Sequence, residues 1–112
     1  MKEERYAGLI EVYKKKLEEN TEDQRTMGLL AYAYMNCGKI DEARKELENL
    51  IGKYKNFTGY RLMIELEKTY GDLEYAQIYA LEAIDKFPND KSLRKQLESI
   101  NQIGRKNEEQ ER

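Results

Sequence analysis

The sequence predicts an all-α protein of six helices, and three observations support this fold class. A segment recurs after 33 residues, apolar side chains fall three and four residues apart, and the chain has one proline and seven glycines. A fixed period of this size is typical of a supersecondary unit stacked on a copy of itself. The recurring pairs are Gly38 and Gly71, Ala43 and Ala76, Ile51 and Ile84, Lys53 and Lys86, Tyr54 and Phe87, and Asn56 and Asn89.

The first two helices are expected over residues 3–19 and 22–37, because their apolar residues form one stripe on each helix. Thr21 is expected to cap the second helix, and Gly38 to end it in a left-handed conformation. The stripes are Tyr6, Leu9, Ile10, Tyr13 and Leu17 in the first helix, and Met27, Leu30, Ala31 and Tyr34 in the second.

A third helix, capped by Asp41, is expected to end near residue 54. Asn56 and Gly59 are expected to bracket the turn that follows. A fourth helix is expected over residues 58–70, where the next glycine stops it. The apolar residues are Ala43, Leu47, Leu50 and Ile51 in the third helix, and Tyr60, Met63, Ile64 and Leu66 in the fourth.

A fifth helix is expected to start after its cap Asp72 and to end before Pro88, which cannot continue a helix. Asp90 is expected to cap a sixth helix that ends near residue 103. Residues 105–112 are all polar and are expected to form a frayed or disordered tail. Six helices with short connections would pair as repeated helical hairpins, and stacked hairpins form a solenoid.

Composition and charge argue against several classes of protein. Charged residues make up 38% of the chain, yet the net charge is -2, so both signs are interleaved and no nucleic-acid partner is expected. No apolar run reaches the roughly 18 residues of a membrane span. The charged first residues do not resemble a signal peptide, so a cytoplasmic protein is expected. With no histidine and one cysteine, Cys37, we expect no metal site, disulfide or nucleophile.

Two motifs show how the repeated unit is built. The first unit reads Met27-x2-Leu30-Ala31-x2-Tyr34, then Ala43-x3-Leu47; the second reads Tyr60-x2-Met63-Ile64-x2-Glu67, then Ala76-x3-Ala80 and Pro88. This pattern resembles the tetratricopeptide repeat family, whose unit of about 34 residues carries W-x2-L-G-x2-Y, A-x3-F and P. Ile64 and Glu67 depart from the family pattern. They suggest shifted packing, in which Tyr70 or Tyr79 fills the space of the missing aromatic residue.

The resemblance covers residues 3–103 and implies a right-handed α-solenoid in a single domain, residues 1–104. Its parts would be a half repeat at 3–23, full repeats at 24–56 and 57–90, a capping helix at 91–103 and a polar tail at 105–112.

The resemblance also implies a non-enzymatic module, without cofactor, that binds a peptide or helix of a partner protein in a concave groove. Tyr32 and Met35 lie off the core stripe, so they are expected either to be exposed there as a contact patch or to pack on a neighbouring helix. The clamp of chaperone-binding members is not expected, because Gly28 and Tyr32 stand where those members carry Lys and Asn. The candidate groove residues are Arg25, Leu29, Tyr32, Met35, Asn36, Arg61, Glu65 and Lys68, with Gly28, Thr58, Leu62, Thr69, Ser92, Lys95 and Ser99 beside them.

An alternative function starts from the half repeat, whose helix lacks the preceding partner of a complete unit. Its open stripe could make the protein a self-associating structural or scaffold module, with a homodimer as one form. The candidate interface residues are Tyr6, Leu9, Ile10 and Tyr13.

Overall fold

The structure, a computed structural model, describes residues 2–111, and their side chains as far as Glu108. This part of the chain contains six α-helices and no strand, which confirms the all-α class. None of these helices combines the length and the apolar character that crossing a membrane requires. The helices are α1 (Lys2–Glu19), α2 (Gln24–Asn36), α3 (Ile40–Tyr54), α4 (Phe57–Tyr70), α5 (Leu73–Lys86) and α6 (Lys91–Glu111). Their superhelical arrangement and the repeat boundaries stay predictions.

Two compact units divide the chain, Met1–Leu62 and Met63–Arg112, and their boundary lies within α4. In the first unit α1 packs against α2 and α2 against α3, while in the second unit α5 packs against α6. The stripes predicted for α2 and α3 are buried throughout. Each unit also buries alanines completely, which lets neighbouring helix backbones approach closely. These alanines are Ala31 and Ala43 in the first unit, and Ala76, Ala80 and Ala83 in the second.

The end of α2 is the left-handed turn that the sequence predicts at Gly38, where φ is 75°. The Gly38 N–H donates to the Met35 carbonyl at 3.3 Å, and the Lys39 N–H donates to the Tyr34 carbonyl at 2.9 Å. This pair of bonds is a Schellman motif, and it satisfies carbonyls that the helix leaves without partners. Glycine fits because it adopts a positive φ without a steric penalty.

Two predicted caps are wrong. The cap of α2 is Asp23, not Thr21, because its carboxylate reaches both the N–H of Thr26 (3.1 Å) and its hydroxyl (2.7 Å). Asp41 does not cap α3, because α3 starts directly after the Schellman turn and takes Asp41 into its first turn. There its carboxylate pairs with Arg44 at 3.4 Å. The residue before α3, Lys39, makes no side-chain cap.

The connection between α3 and α4 is shorter than predicted. The chain leaves α3 through Lys55, which adopts a left-handed conformation with φ 51°. Asn56 then caps α4, and its Oδ1 accepts the N–H of Gly59 at 3.0 Å. Gly59 therefore lies inside α4 and not in a turn, which corrects the expectation from the sequence.

The second unit confirms two predicted caps and corrects one helix end. Asp72 accepts the N–H of Glu74 at 2.8 Å, and Asp90 accepts the N–H of Leu93 at 3.1 Å. The expectation of a frayed or disordered tail is wrong for residues 105–111, because α6 continues through them to Glu111. Arg, Lys, Glu and Gln predominate there, and these residues favour helix without needing a face to bury. Arg112 lies outside the described residues.

Glu67 takes the place of the usual aromatic residue in a specific way. Its side chain is buried, and its Oε2 accepts the N–H of Asp72 at 3.3 Å. Tyr70 is exposed and Tyr79 is half-buried, so the expectation that Tyr70 fills the vacant space is wrong. A carboxylate at this position thus supports the α4–α5 turn with a hydrogen bond.

Candidate functional site

An apolar concavity of the first unit lies between α2 and the start of α4, and we call it the α2–α4 concavity. Its volume is about 410 Å³. It brings together six of the residues that the sequence places in or beside the groove: Arg25, Gly28, Leu29, Tyr32, Thr58 and Leu62. Two further lining residues, Gln24 and Asn56, were not predicted.

Local capping explains how these side chains come to share one surface. Asp23 starts α2 at Gln24, so that residues spaced by about one helical turn project from the same side. Asn56 starts α4 with its Oδ1, and its Nδ2 donates to the Oε1 of Gln24 at 2.8 Å. One amide therefore caps α4 and also ties the start of α4 to the start of α2. The signal for this role is an asparagine directly before a predicted helix.

Two glycines lie where helices of the first unit approach each other. A Cβ atom at Gly28 would lie 3.5 Å from Thr58 Cγ2, which is ordinary contact. A Cβ atom at Gly59 would lie 2.9 Å from the Cβ of Leu50, which is too close for unaltered packing. The start of α4 thus sits on the end of α3, and α2 has space for no more than a small side chain beside Thr58.

The lining combines exposed apolar surface with one positive charge. Leu29 is 39% exposed and Tyr32 is 45% exposed, although both are large apolar side chains. Arg25 is exposed and is the charged residue of the lining. The arrangement can accept an apolar side chain and, next to it, a carboxylate that a guanidinium binds through two parallel hydrogen bonds.

Tyr32 is held from the side by α1. The rings of Tyr6 and Tyr32 meet edge to face, with centroids 5.8 Å apart and planes at 79°. Partial burial, followed by hydrogen bonding to Tyr32, raises the pKa of Tyr6 above its ordinary value. This contact places Tyr6 at one edge of the α2–α4 concavity. The sequence had placed Tyr6 on the open stripe of α1.

Several predicted groove residues lie elsewhere. Met35 is 8% exposed, so the expectation of an exposed thioether is wrong: its side chain belongs to the core of the first unit. Asn36 is half-buried, and its Nδ2 donates to the Tyr32 carbonyl at 2.8 Å. Arg61 is exposed on α4 but does not line the α2–α4 concavity.

The remaining groove residues belong to the second unit. Lys68 and Glu65 pair with each other at 3.3 Å, as neighbours one turn apart on α4. The Thr69 hydroxyl donates to the same glutamate at 3.4 Å. Ser92, Lys95 and Ser99 lie on α6. A binding role for these residues stays a prediction.

The stripe of α1 is more covered than the self-association hypothesis expects. Ile10 is buried, while Tyr6, Leu9 and Tyr13 are half-buried. Packing against α2 explains this coverage, since no preceding helix is needed to shield the stripe. Val12 remains as the large apolar side chain of α1 that is mostly exposed.

Metal chemistry finds no support in the described part of the chain. There, no group of three or more cysteine and acidic side chains is placed to hold a metal ion. Cys37 is half-buried, and its Sγ lies 3.4 Å from the Glu3 carbonyl. These contacts suit a small packing residue.

Comparison with known proteins supports the resemblance found in the motifs. A family model described as Tetratricopeptide repeat matches residues 1–65, which is more than half of the chain. The match spans α1 to the first part of α4 and includes every residue that lines the α2–α4 concavity. No curated protein and no solved structure matches the chain.

Proposed function

Because the chain belongs to the tetratricopeptide repeat family, we propose that it binds a segment of a partner protein in the α2–α4 concavity. Members of this family are generally protein–protein interaction modules, typically without enzymatic activity. Stacked helical hairpins suit this task because they display a rigid surface built from several helices.

The observation that carries the proposal is the exposed apolar lining of the α2–α4 concavity. Soluble proteins rarely expose apolar side chains together in one concave site, so the joint exposure of Leu29 and Tyr32 there favours a ligand. The edge contact with Tyr6 keeps the Tyr32 ring in one orientation. A ring that is already ordered loses little conformational entropy when a ligand covers it.

The lining also suggests the form of the ligand. Arg25 stands beside Leu29 on α2, and the linked amides of Gln24 and Asn56 lie near it with further hydrogen-bonding capacity. An extended peptide would satisfy both parts, since its backbone pairs with amides while one apolar side chain enters the site. We therefore propose a peptide in which an apolar residue is followed or preceded by an acidic one.

A peptide-display selection, followed by calorimetric titration of the selected peptides, tests this function. Leu29→Ser should weaken binding about tenfold or more, because it removes a central apolar contact. Arg25→Gln should abolish the preference for acidic peptides. Val12→Ser is the control, since Val12 is also exposed (51%, against 39% for Leu29) but lies on α1, outside the concavity. Selected peptides that bind both concavity variants as tightly as wild type would refute the site.

A further inference from the structure

A second exposed apolar surface lies on α5, in the second unit. Tyr75 and Ile78 are each 56% exposed, and Leu81 is 53% exposed. Spaced by three residues, they follow one side of the helix over roughly 9 Å. The buried alanines of α5 lie on the other side. We call the open side of α5, which carries these three apolar side chains together with acidic ones, the outer α5 face.

Acidic residues lie within the outer α5 face, between its apolar side chains. By helical spacing Glu74 and Glu82 each lie one turn from Ile78, and Asp85 lies one turn from Leu81. All three are exposed, and none of their carboxylates forms an ion pair within the part of the chain that the structure describes. The basic residue of α5 is Lys86, its last residue.

We propose that the outer α5 face docks an amphipathic helix of a partner protein whose apolar stripe is flanked by lysine or arginine. The open side chains match the apolar anchors that one helix presents at successive turns. The carboxylates of the outer α5 face would attract basic flanks and would repel nucleic acid or an anionic membrane surface. Three exposed apolar side chains make a small contact surface, so we expect a weak and reversible complex.

This surface differs from the α2–α4 concavity in both position and charge. It lies wholly within the second unit, whereas the concavity lies within the first. The concavity carries a cation for an acidic peptide, and the outer α5 face carries acids for a basic one. The two sites can therefore be tested separately, and failure of one leaves the other standing.

Two synthetic helical peptides of about 18 residues provide the probes, since shorter isolated helices are marginal in water. Both carry the same leucine stripe; one has lysine and the other glutamate at the flanking positions. Binding of the labelled peptides to the full chain is followed by fluorescence anisotropy at low and physiological salt. The lysine peptide should bind, more weakly as salt rises, and the glutamate peptide should not.

Variants locate the binding. Ile78→Ser should weaken binding of the lysine peptide at least about tenfold. The double variant with the isosteric changes Glu82→Gln and Asp85→Asn should weaken this binding less, and should make it less dependent on salt. Leu29→Ser, which changes the α2–α4 concavity, should leave the affinity for the lysine peptide unchanged. Because Ile78 is exposed, its replacement should not alter the thermal melting curve, which confirms that lost binding is not lost folding.

Four outcomes overturn the proposal. The lysine peptide fails to bind, or the glutamate peptide binds equally well, or Ile78→Ser leaves binding unchanged. In the fourth outcome, the wild-type chain self-associates or is retained on anionic vesicles, and Ile78→Ser abolishes that association or retention. That outcome would identify a second copy or a membrane as the occupant.

Discussion

At the scale of single residues, the helical glycines have opposite effects on packing. Gly59 lies where the start of α4 crosses α3, and an added Cβ would come within 2.9 Å of the Leu50 Cβ. Gly52 lies on the exposed side of α3, with nothing within 4 Å of an added Cβ. The same substitution should therefore change stability in opposite directions at these two positions.

The first prediction compares these two sites by urea denaturation followed by circular dichroism. Gly59→Ala should lower the free energy of unfolding by about 1–3 kcal/mol, because a buried contact is overpacked. Gly52→Ala should raise it by about 0.5–1 kcal/mol, because alanine favours helix over glycine. Equal effects of the two variants would show that the approach of α4 to α3 is looser than described.

A second residue-scale prediction concerns Glu46 of α3. Partial burial raises the pKa of this carboxyl above its ordinary value. Because the folded-state pKa is the higher one, the charged form costs stability, and the cost appears as pH rises from the unfolded-state to the folded-state pKa. Glu46→Gln should therefore be more stable than wild type at pH 7. Thermal melts should show this advantage disappearing at acid pH, and an advantage that persists there would contradict the assigned cause.

At the scale of helices, the start of α2 depends on the Asp23 carboxylate. Hydrogen bonds from the Thr26 hydroxyl and from backbone N–H groups lower the pKa of Asp23. This stabilisation is present above the unfolded-state pKa and is lost as pH falls through the folded-state pKa. Asp23→Ala should therefore lower the melting temperature at pH 7 but not at a pH below both values. Thr21→Ala is the control. An equal loss of melting temperature in that variant would show that Thr21 contributes to the cap, as the sequence predicts.

The C-terminal part of α6 is helical without being needed for the core. The described side chains from Arg105 to Glu108 are exposed, so the helix there rests on intrinsic propensity. Removing residues 105–112 should reduce the helical circular dichroism signal while changing the free energy of unfolding by less than about 0.5 kcal/mol. A cooperative loss of stability would show that this segment packs.

At the scale of the whole molecule, the state of association distinguishes the two functions considered. The α1 stripe is buried or half-buried against α2, so α1 offers little apolar surface to a second copy. We expect light scattering after size exclusion to give one monomeric mass over a tenfold range of concentration around 10 μM. A mass that rises with concentration, and falls again in Val12→Glu, would favour self-association through α1.

The sequence by itself determined the fold class, the family, the approximate helices and the buried stripes of α2 and α3. Apolar spacing and glycine positions are local properties, and they can be read without knowing the neighbouring helices. Helix ends were less certain, because adjacent candidates such as Thr21 and Asp23 compete for the same N–H groups. In α6, propensity alone carried the helix past Gly104.

The tertiary structure alone decided which faces are covered. Met35 is buried and Tyr6 packs on Tyr32, although sequence spacing placed both side chains in the open. Asn56 and Gln24 meet across 32 residues of chain, and the outer α5 face stays open although it carries apolar side chains. The physical reason is that exposure depends on side chains contributed by distant segments. A periodic pattern identifies an apolar face, and only packing shows whether another helix already occupies it.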